Sequence, residues 1–170
     1  MDYVLRQAVP EDAEALVRMH TLAHEECYTH LLSSDFFRAR RASVHERAQR
    51  RREFLAGSAP RIVCEDTNGT IVGFADAGPG RDDDGPVPLE LYSIYTLRRT
   101  YGTGLGAVLL AAAVGEMPAY LWVLEDNPRA HAFYLKNGFR PDGRCALLPP
   151  EWENLPEIRM VRAAGPTGSL

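Results

Sequence analysis

Tyr101-Gly102-Thr103-Gly104-Leu105-Gly106 is the stretch on which the reading of this chain turns. A strand-like run, Leu89 to Leu97, precedes it, and Ala107-Val108-Leu109-Leu110 continues it as a helix. Glycines between a strand and a helix let the backbone pass close to a ligand and take positive φ without steric cost. The N–H groups that open the helix point outward, where they and the helix dipole favour an anion such as a pyrophosphate. The pattern is not a P-loop, because no Gly-Lys-Ser/Thr follows. Nor is it the Rossmann fingerprint, which is GxGxxG in the first βαβ unit, whereas this is GxGxG beyond the middle of the chain. On spacing alone, a glycine turn that holds nothing stays open.

Outward from this loop the chain alternates strand and helix patterns. Tyr3 to Gln7 reads as a first strand, and Val9-Pro10-Glu11-Asp12 as a helix start with proline and acids in its first turn. Ala15, Leu16, Met19, Leu22 and Ala23 recur at helical spacing, and a second helical stretch runs from Ser34 to Leu55. Arg61 to Asp66 and Thr70 to Ala77 form a hairpin about Asn68-Gly69. Gly78 to Pro86 reads as an exposed loop. The glycine-loop helix reaches Ala113; then come a strand at Ala119 to Leu124 and a helix at Pro128 to Asn137. Arg144 to Leu148 and Glu157 to Arg162 are two closing strands. The order β-α-α-β-β-β-α-β-α-β-β predicts an α/β (α+β) fold, a mixed sheet flanked by helices. Residues 1–163 are then a single domain and 164–170 a flexible tail.

The length of 170 residues, with 45% hydrophobic and 25% charged residues, suits one globular domain. No apolar run approaches the roughly 18 residues that cross a bilayer. Met1-Asp2-Tyr3 lacks the basic and apolar regions of a signal peptide, so a soluble cytoplasmic protein without a membrane partner is expected. Cys27, Cys64 and Cys145 are scattered and odd in number, which suggests neither a disulfide framework nor a zinc site. Seven arginines lie between Arg38 and Arg52. With a net charge of −4, they read as a solvated helix face paired with Glu46, Glu53 and other acids rather than as a nucleic-acid patch.

The run from Glu90 through Leu110 resembles the acetyl-CoA-binding motif of the GNAT acetyltransferases: a strand, a short link, then Arg/Gln-x-x-Gly-x-Gly/Ala opening a helix. A second block, Asn127-Pro128-Arg129-Ala130 followed by Phe133-Tyr134-Leu135-Lys136-Asn137-Gly138-Phe139, is similar to the family's Asn-x-x-Ala and Phe-Tyr-x-x-x-Gly-Phe. The resemblance implies a GNAT-type, mostly antiparallel sheet of about seven strands flanked by about four helices. It implies an N-acetyltransferase that uses acetyl-CoA as co-substrate and no metal. Backbone groups of Ile94, Tyr95 and Thr96 would pair with the pantetheine amides. Those of Tyr101, Gly102, Thr103, Gly104, Leu105, Gly106 and Ala107 would hold the pyrophosphate. Tyr101 stands where the family has Arg or Gln, so a side-chain contact to phosphate is weaker there; Arg98 and Arg99 are nearby sources of charge.

Attack on a thioester needs a neutral amine, an acceptor for its proton and a donor for the leaving thiolate. Glu90, eleven residues before Tyr101, matches the catalytic Glu of histone-acetylating members and is the candidate base. A solvent-facing carboxylate at a strand end is its other reading. Tyr134 matches the family's general acid toward the coenzyme A sulfur; a core aromatic beside Phe133 is the alternative. Asn127 reads as a helix N-cap, to which the resemblance adds a pantetheine contact.

The resemblance puts the acceptor by the first two helices and the loops near the final strands. These offer His20, His24, Glu25, Glu26, Tyr28, His30, Asp35, Asp76 and Trp152, acids and aromatics that suit a cationic amine. His20, His24 and Glu25 have the spacing of metal ligands but lack the HExxH arrangement. The leading reading is acetylation of a small-molecule primary amine. A peptide or protein amine, or a non-catalytic acyl-CoA-binding sensor or partner module, are the alternatives. By analogy with dimeric relatives, the closing strands are the candidate face of a homodimer.

Overall fold

The computed structural model describes residues 3–57 and 59–164. Strand β1 (Val4–Gln7) leads into helices α1 (Ala13–Tyr28), α2 (Ser34–Ala42) and α3 (Val44–Leu55). Strands β2 (Arg61–Glu65), β3 (Ile71–Pro79) and β4 (Leu89–Thr96) follow, then α4 (Leu105–Val114), β5 (Ala119–Leu124) and α5 (Pro128–Lys136). β6 (Arg140–Leu147) and β7 (Pro156–Arg162) close the chain. The sheet has seven strands in the order β1-β2-β3-β4-β5-β7-β6. The β1–β2, β2–β3, β5–β7 and β6–β7 pairs are antiparallel, whereas β4 and β5 run parallel with Glu90 opposite Tyr120. Among the described residues no helix is long and apolar enough to cross a membrane.

The chain divides into two compact units, each built from two stretches: Met1–Asp76 with Ser93–Ala113, and Ala77–Tyr92 with Val114–Leu170. In the first, α1 buries Leu16, Val17, Met19 and Ala23, the helical stripe expected from the sequence. The Asn68-Gly69 turn is built as its residues predict. Asp66 Oδ1 accepts the amides of Asn68 and Thr70, and Gly69 takes a φ of 74°. Gly73 on β3 is required by packing, because a Cβ there would lie 2.9 Å from Leu109 Cδ1 of α4.

In the second unit, β5 buries Tyr120 and Leu121 completely or nearly so, and Phe139 and Met160 join them in the core. β7 is held between β5 and β6, with Met160 opposite both Leu121 and Pro141.

The structure departs from the expected elements in three places. The stretch from Ser34 to Leu55 is two helices, because Ser43 (φ −90°, ψ 10°) leaves the helical region. The carbonyl of Arg40 at this break is taken by Ser43 Oγ (3.3 Å) and Arg47 Nη1 (3.1 Å), side-chain bonds that replace a helical one. Among the described residues there are accordingly five helices, where about four were expected. β6 begins at Arg140, not Arg144. Pro141 is tolerated because β6 is an edge strand, and the register shift between Pro141 and Cys145 contains Gly143 at φ 88°. β3 continues to Pro79, into what the sequence marks as loop. Most of the expected tail, residues 165–170, lies outside the described residues.

Candidate active site

The glycine loop belongs to the first unit. Gly102 and Gly104 take φ values of 77° and 86°, conformations that glycine adopts without strain. A Cβ at either position would meet nothing within 4 Å. Among the described residues, neither glycine's N–H has a hydrogen-bond acceptor. Thr103 Oγ1 donates to the Thr100 carbonyl (2.7 Å) and receives the Leu105 N–H (3.4 Å), which shapes the entry to α4. An open, positive-φ turn with spare amides at a helix start is suited to an anion.

The residues around the loop are committed elsewhere. The Tyr101 hydroxyl lies 3.1 Å from Cys27 Sγ on α1, a contact that no spacing in the sequence signals. Arg98 holds Glu26: its N–H donates to Oε2 (2.6 Å) and its guanidinium to the Glu26 carbonyl. Arg99 donates to Asp66 (2.9 Å), holding that carboxyl below the usual range. The side chains expected to bring charge to the loop are therefore already paired, which leaves the backbone as its means of holding phosphate. Ile94, Tyr95 and Thr96 end β4, each half-buried. The Tyr95 ring lies among His20, His24 and Phe74 of the same unit.

Asn127, Tyr134 and Glu90 belong to the second unit. Asn127 caps α5, its Oδ1 accepting the Ala130 N–H at 3.1 Å. Tyr134 is buried about two turns further on, its ring edge-on to Phe133 and Phe139 at 5.3 and 5.8 Å. Glu90 is 1% exposed, not the solvent-facing carboxylate of the alternative reading. Its Oε1 receives Arg81 Nη2 (2.5 Å), and its Oε2 receives the Arg81 N–H (2.9 Å) and the Tyr120 hydroxyl (3.1 Å).

The residues proposed for the acceptor split in the same way. Asp76 is buried, bound bidentately by Arg51 (2.7 and 2.8 Å) and by Ser93 Oγ (3.0 Å). Glu25 pairs with Arg41 at 2.6 Å and Asp35 with Arg38 at 2.7 Å. His30 is exposed on the turn after α1, and Trp152 lies in the second unit. His20 and His24 meet each other, at 4.1 Å between ring centroids, rather than Glu25. Arg40, Arg47 and Arg51 turn inward beside them. The sequence reading missed these three by treating the whole arginine run as solvated. The signal was present in α3, where Arg47 and Arg51 share a helix face with the buried Ala48 and Leu55.

Residues 17–139 match the model of the Acetyltransferase (GNAT) family. An uncharacterized N-acetyltransferase of Mycobacterium tuberculosis, Rv2669, is 35% identical over 117 residues, covering 65% of this chain and 71% of its own. YuaI of Bacillus subtilis, also an uncharacterized N-acetyltransferase, is 28% identical over 130 residues, 73% of each chain. The crystal structure of the PaiA N-acetyltransferase of Thermoplasma acidophilum, in complex with coenzyme A, has the same fold. It is similar at a TM-score of 0.69 and 18% identity, covering 96% of this chain and 99% of its own.

Proposed function

The chain belongs to the acetyltransferase (GNAT) family and is an acetyltransferase, and on that premise we propose that it moves the acetyl group of acetyl-CoA to the primary amine of a small molecule. The single observation that carries the cofactor assignment is the open glycine loop, with positive φ at Gly102 and Gly104 and amides that have no acceptor among the described residues. Tyr101 to Ala107 then hold the pyrophosphate by backbone groups, and Ile94, Tyr95 and Thr96 hold the pantetheine amides as an added strand would. Asn127 spends its Oδ1 on the cap, so its side-chain NH2 remains to donate to the pantetheine arm.

In the reaction the amine nitrogen attacks the thioester carbonyl, a C–N bond forms and the C–S bond breaks. Glu90 takes the proton that the amine loses, and Tyr134 supplies the proton that the coenzyme A thiolate gains. Arg81 covers Glu90 but its side chain is 62% exposed, so its withdrawal opens Oε1 while the Arg81 N–H and Tyr120 keep Oε2 oriented. Calorimetric titration with acetyl-CoA, and separately with NADH, tests the first half of this reading: saturable binding of acetyl-CoA alone is expected. Tyr134→Phe tests the second. Thiol release should fall by roughly two orders of magnitude with acetyl-CoA affinity unchanged, as for loss of a general acid. Equal rates in variant and wild type would remove Tyr134 from the chemistry.

A further inference from the structure

The inward side chains of α1, α2, α3 and strands β3 and β4 make a polar cluster rich in arginine. His20 packs against His24, Tyr95 and Phe74 at centroid distances of 4.1, 4.5 and 5.0 Å. The residue is partly exposed, yet its Nε2 is shut off from solvent and lacks a hydrogen-bond partner among the described residues. Arg40 Nη2 lies 3.2 Å from His24 Nδ1, and Arg47 Nη1 donates to Thr21 Oγ1 (2.8 Å) and to the Arg40 carbonyl. Both acceptors of Arg47 are neutral, and among the described residues it makes no ion pair. The acid of the cluster is Asp76, and both its oxygens are taken by Arg51.

Arg51 thus takes the Asp76 carboxylate, while half-buried Arg47 makes no ion pair among the described residues. Burial, then Arg40 and Arg50, push the Arg47 guanidinium down to about 10. Burial first, then Arg40 and Arg47, with His24 and Arg51 also acting on His20, hold both imidazoles well below the usual histidine range, so they add no charge near neutral pH. A cation disfavoured by its surroundings is one that a bound anion relieves. An acceptor with positive charge alone would meet like charge here, where the sequence suggested acids and aromatics suited to a cationic amine.

We propose that this cluster receives an oxyanion carried by the acceptor itself, so that the substrate is an amine bearing a carboxylate or phosphonate, gripped by Arg47 with Arg40 and His20 beside it. The proposal rests on the acetyl-transfer reading, because the Tyr95 ring that walls the cluster belongs to the residue whose backbone is assigned to the pantetheine arm.

The test pairs each acid with a neutral partner: amino acids with their carboxamides, and aminoalkylphosphonates with the matching amino alcohols, all read by thiol release. The wild type should favour the acids at least tenfold in kcat/KM, and the pair with the larger preference identifies the oxyanion. Arg47→Gln should lower turnover of the acids by roughly ten- to a hundredfold, the scale of a charge-assisted contact, and so erase most of their preference over the neutral partners. Arg47→Lys should recover part of the loss, which a purely structural role through Thr21 would not predict. A second arm needs no turnover: malonate at fixed ionic strength should raise the wild-type unfolding temperature saturably, and that of Arg47→Gln no more than chloride does. Neutral amines matching the acids, or malonate acting alike on both proteins, overturns the proposal. Failure to bind acetyl-CoA would instead sink the acetyl-transfer reading, whatever malonate does.

Discussion

Two glycine-bearing loops follow strands in this chain, and they use glycine for opposite reasons. In the loop after β4, Gly102 and Gly104 have positive φ and empty space where a side chain would stand. In the loop after β3, a Cβ on Gly80 would lie 2.8 Å from the Tyr120 hydroxyl, already inside a neighbour. That second loop looks as mobile in sequence as the first, yet it is pinned. The amides of Arg81 and Asp82 donate to the Tyr120 hydroxyl at 2.8 and 3.0 Å. Asp82 accepts from Trp122 Nε1 (3.0 Å) and Arg159 (3.0 Å), and Asp84 pairs with Arg144. Vacant space beside Gly102 and Gly104, with their amides unclaimed among the described residues, leaves room for a ligand; filled space beside Gly80 marks packing.

Exchanging the substitutions is the sharpest way to break this contrast. Gly104→Ala puts a methyl on the face assigned to pyrophosphate, and acetyl-CoA should bind at least roughly tenfold more weakly by calorimetry. Its cost in unfolding free energy is only the backbone strain, about 1–2 kcal/mol. Gly80→Ala should do the reverse, losing about 1–3 kcal/mol to overpacking against Tyr120 while acetyl-CoA affinity holds. If both variants lose affinity equally, the distinction between the loops fails.

Glu90→Gln probes the pin itself. Glu90 is buried and holds Arg81 through side chain and backbone. Losing the charge should cost about 2 kcal/mol in denaturant unfolding, in the range for hydrogen bonds to charged groups. As the base, the residue should also lower kcat about a hundredfold. A stability loss with kcat intact would assign Glu90 to anchoring the loop and leave the base elsewhere.

The contrast also explains what the sequence could and could not reveal. The Asn68-Gly69 hairpin and the α5 cap are local patterns, and they are legible because their signals lie within a few residues. The family resemblance supplied a mostly antiparallel sheet of about seven strands, but not its strand order or the parallel β4–β5 pair, in which Glu90 meets Tyr120 from 30 positions away. The pinning of Gly80 was not legible, because Glu90, Tyr120 and Arg159 are 10, 40 and 79 positions away and only folding brings them to it. The inward turn of Arg40, Arg47 and Arg51 was hidden for a related reason. Their run also contains Arg38, Arg41 and Arg50, which do make the exposed pairs that the charge pattern suggests.

Charge balance separates the pinned loop from the histidine cluster of the other unit. Around the loop, acids and arginines are paired, whereas half-buried His20 and buried His24 stay neutral beside Arg40 and Arg47. Their folded pKa values are depressed, so below an unfolded value of about 6.5 the unfolded chain binds protons that the folded chain does not. Stability should therefore fall as pH drops below about 6.5, by up to about 1.4 kcal/mol per pH unit for each histidine. His20→Phe should flatten this slope in unfolding measured between pH 7 and 5.5. An unchanged slope would mean that His20 titrates normally in the folded chain.

The smallest effect belongs to the open loop's own shape. Thr103 Oγ1 ties the loop to Thr100, the last residue of the short turn before it, in a setting where the threonine is exposed. Thr103→Ala removes that bond and should cost only about 0.5–1.5 kcal/mol, because water replaces part of what is lost. If the open loop is already shaped for its anion, acetyl-CoA affinity should weaken by a comparable few-fold factor, since the bond orders the backbone that donates to phosphate. If affinity is untouched while stability falls, the loop takes its shape from the ligand. The two loops would then differ in preorganisation as well as in what occupies the space beside their glycines.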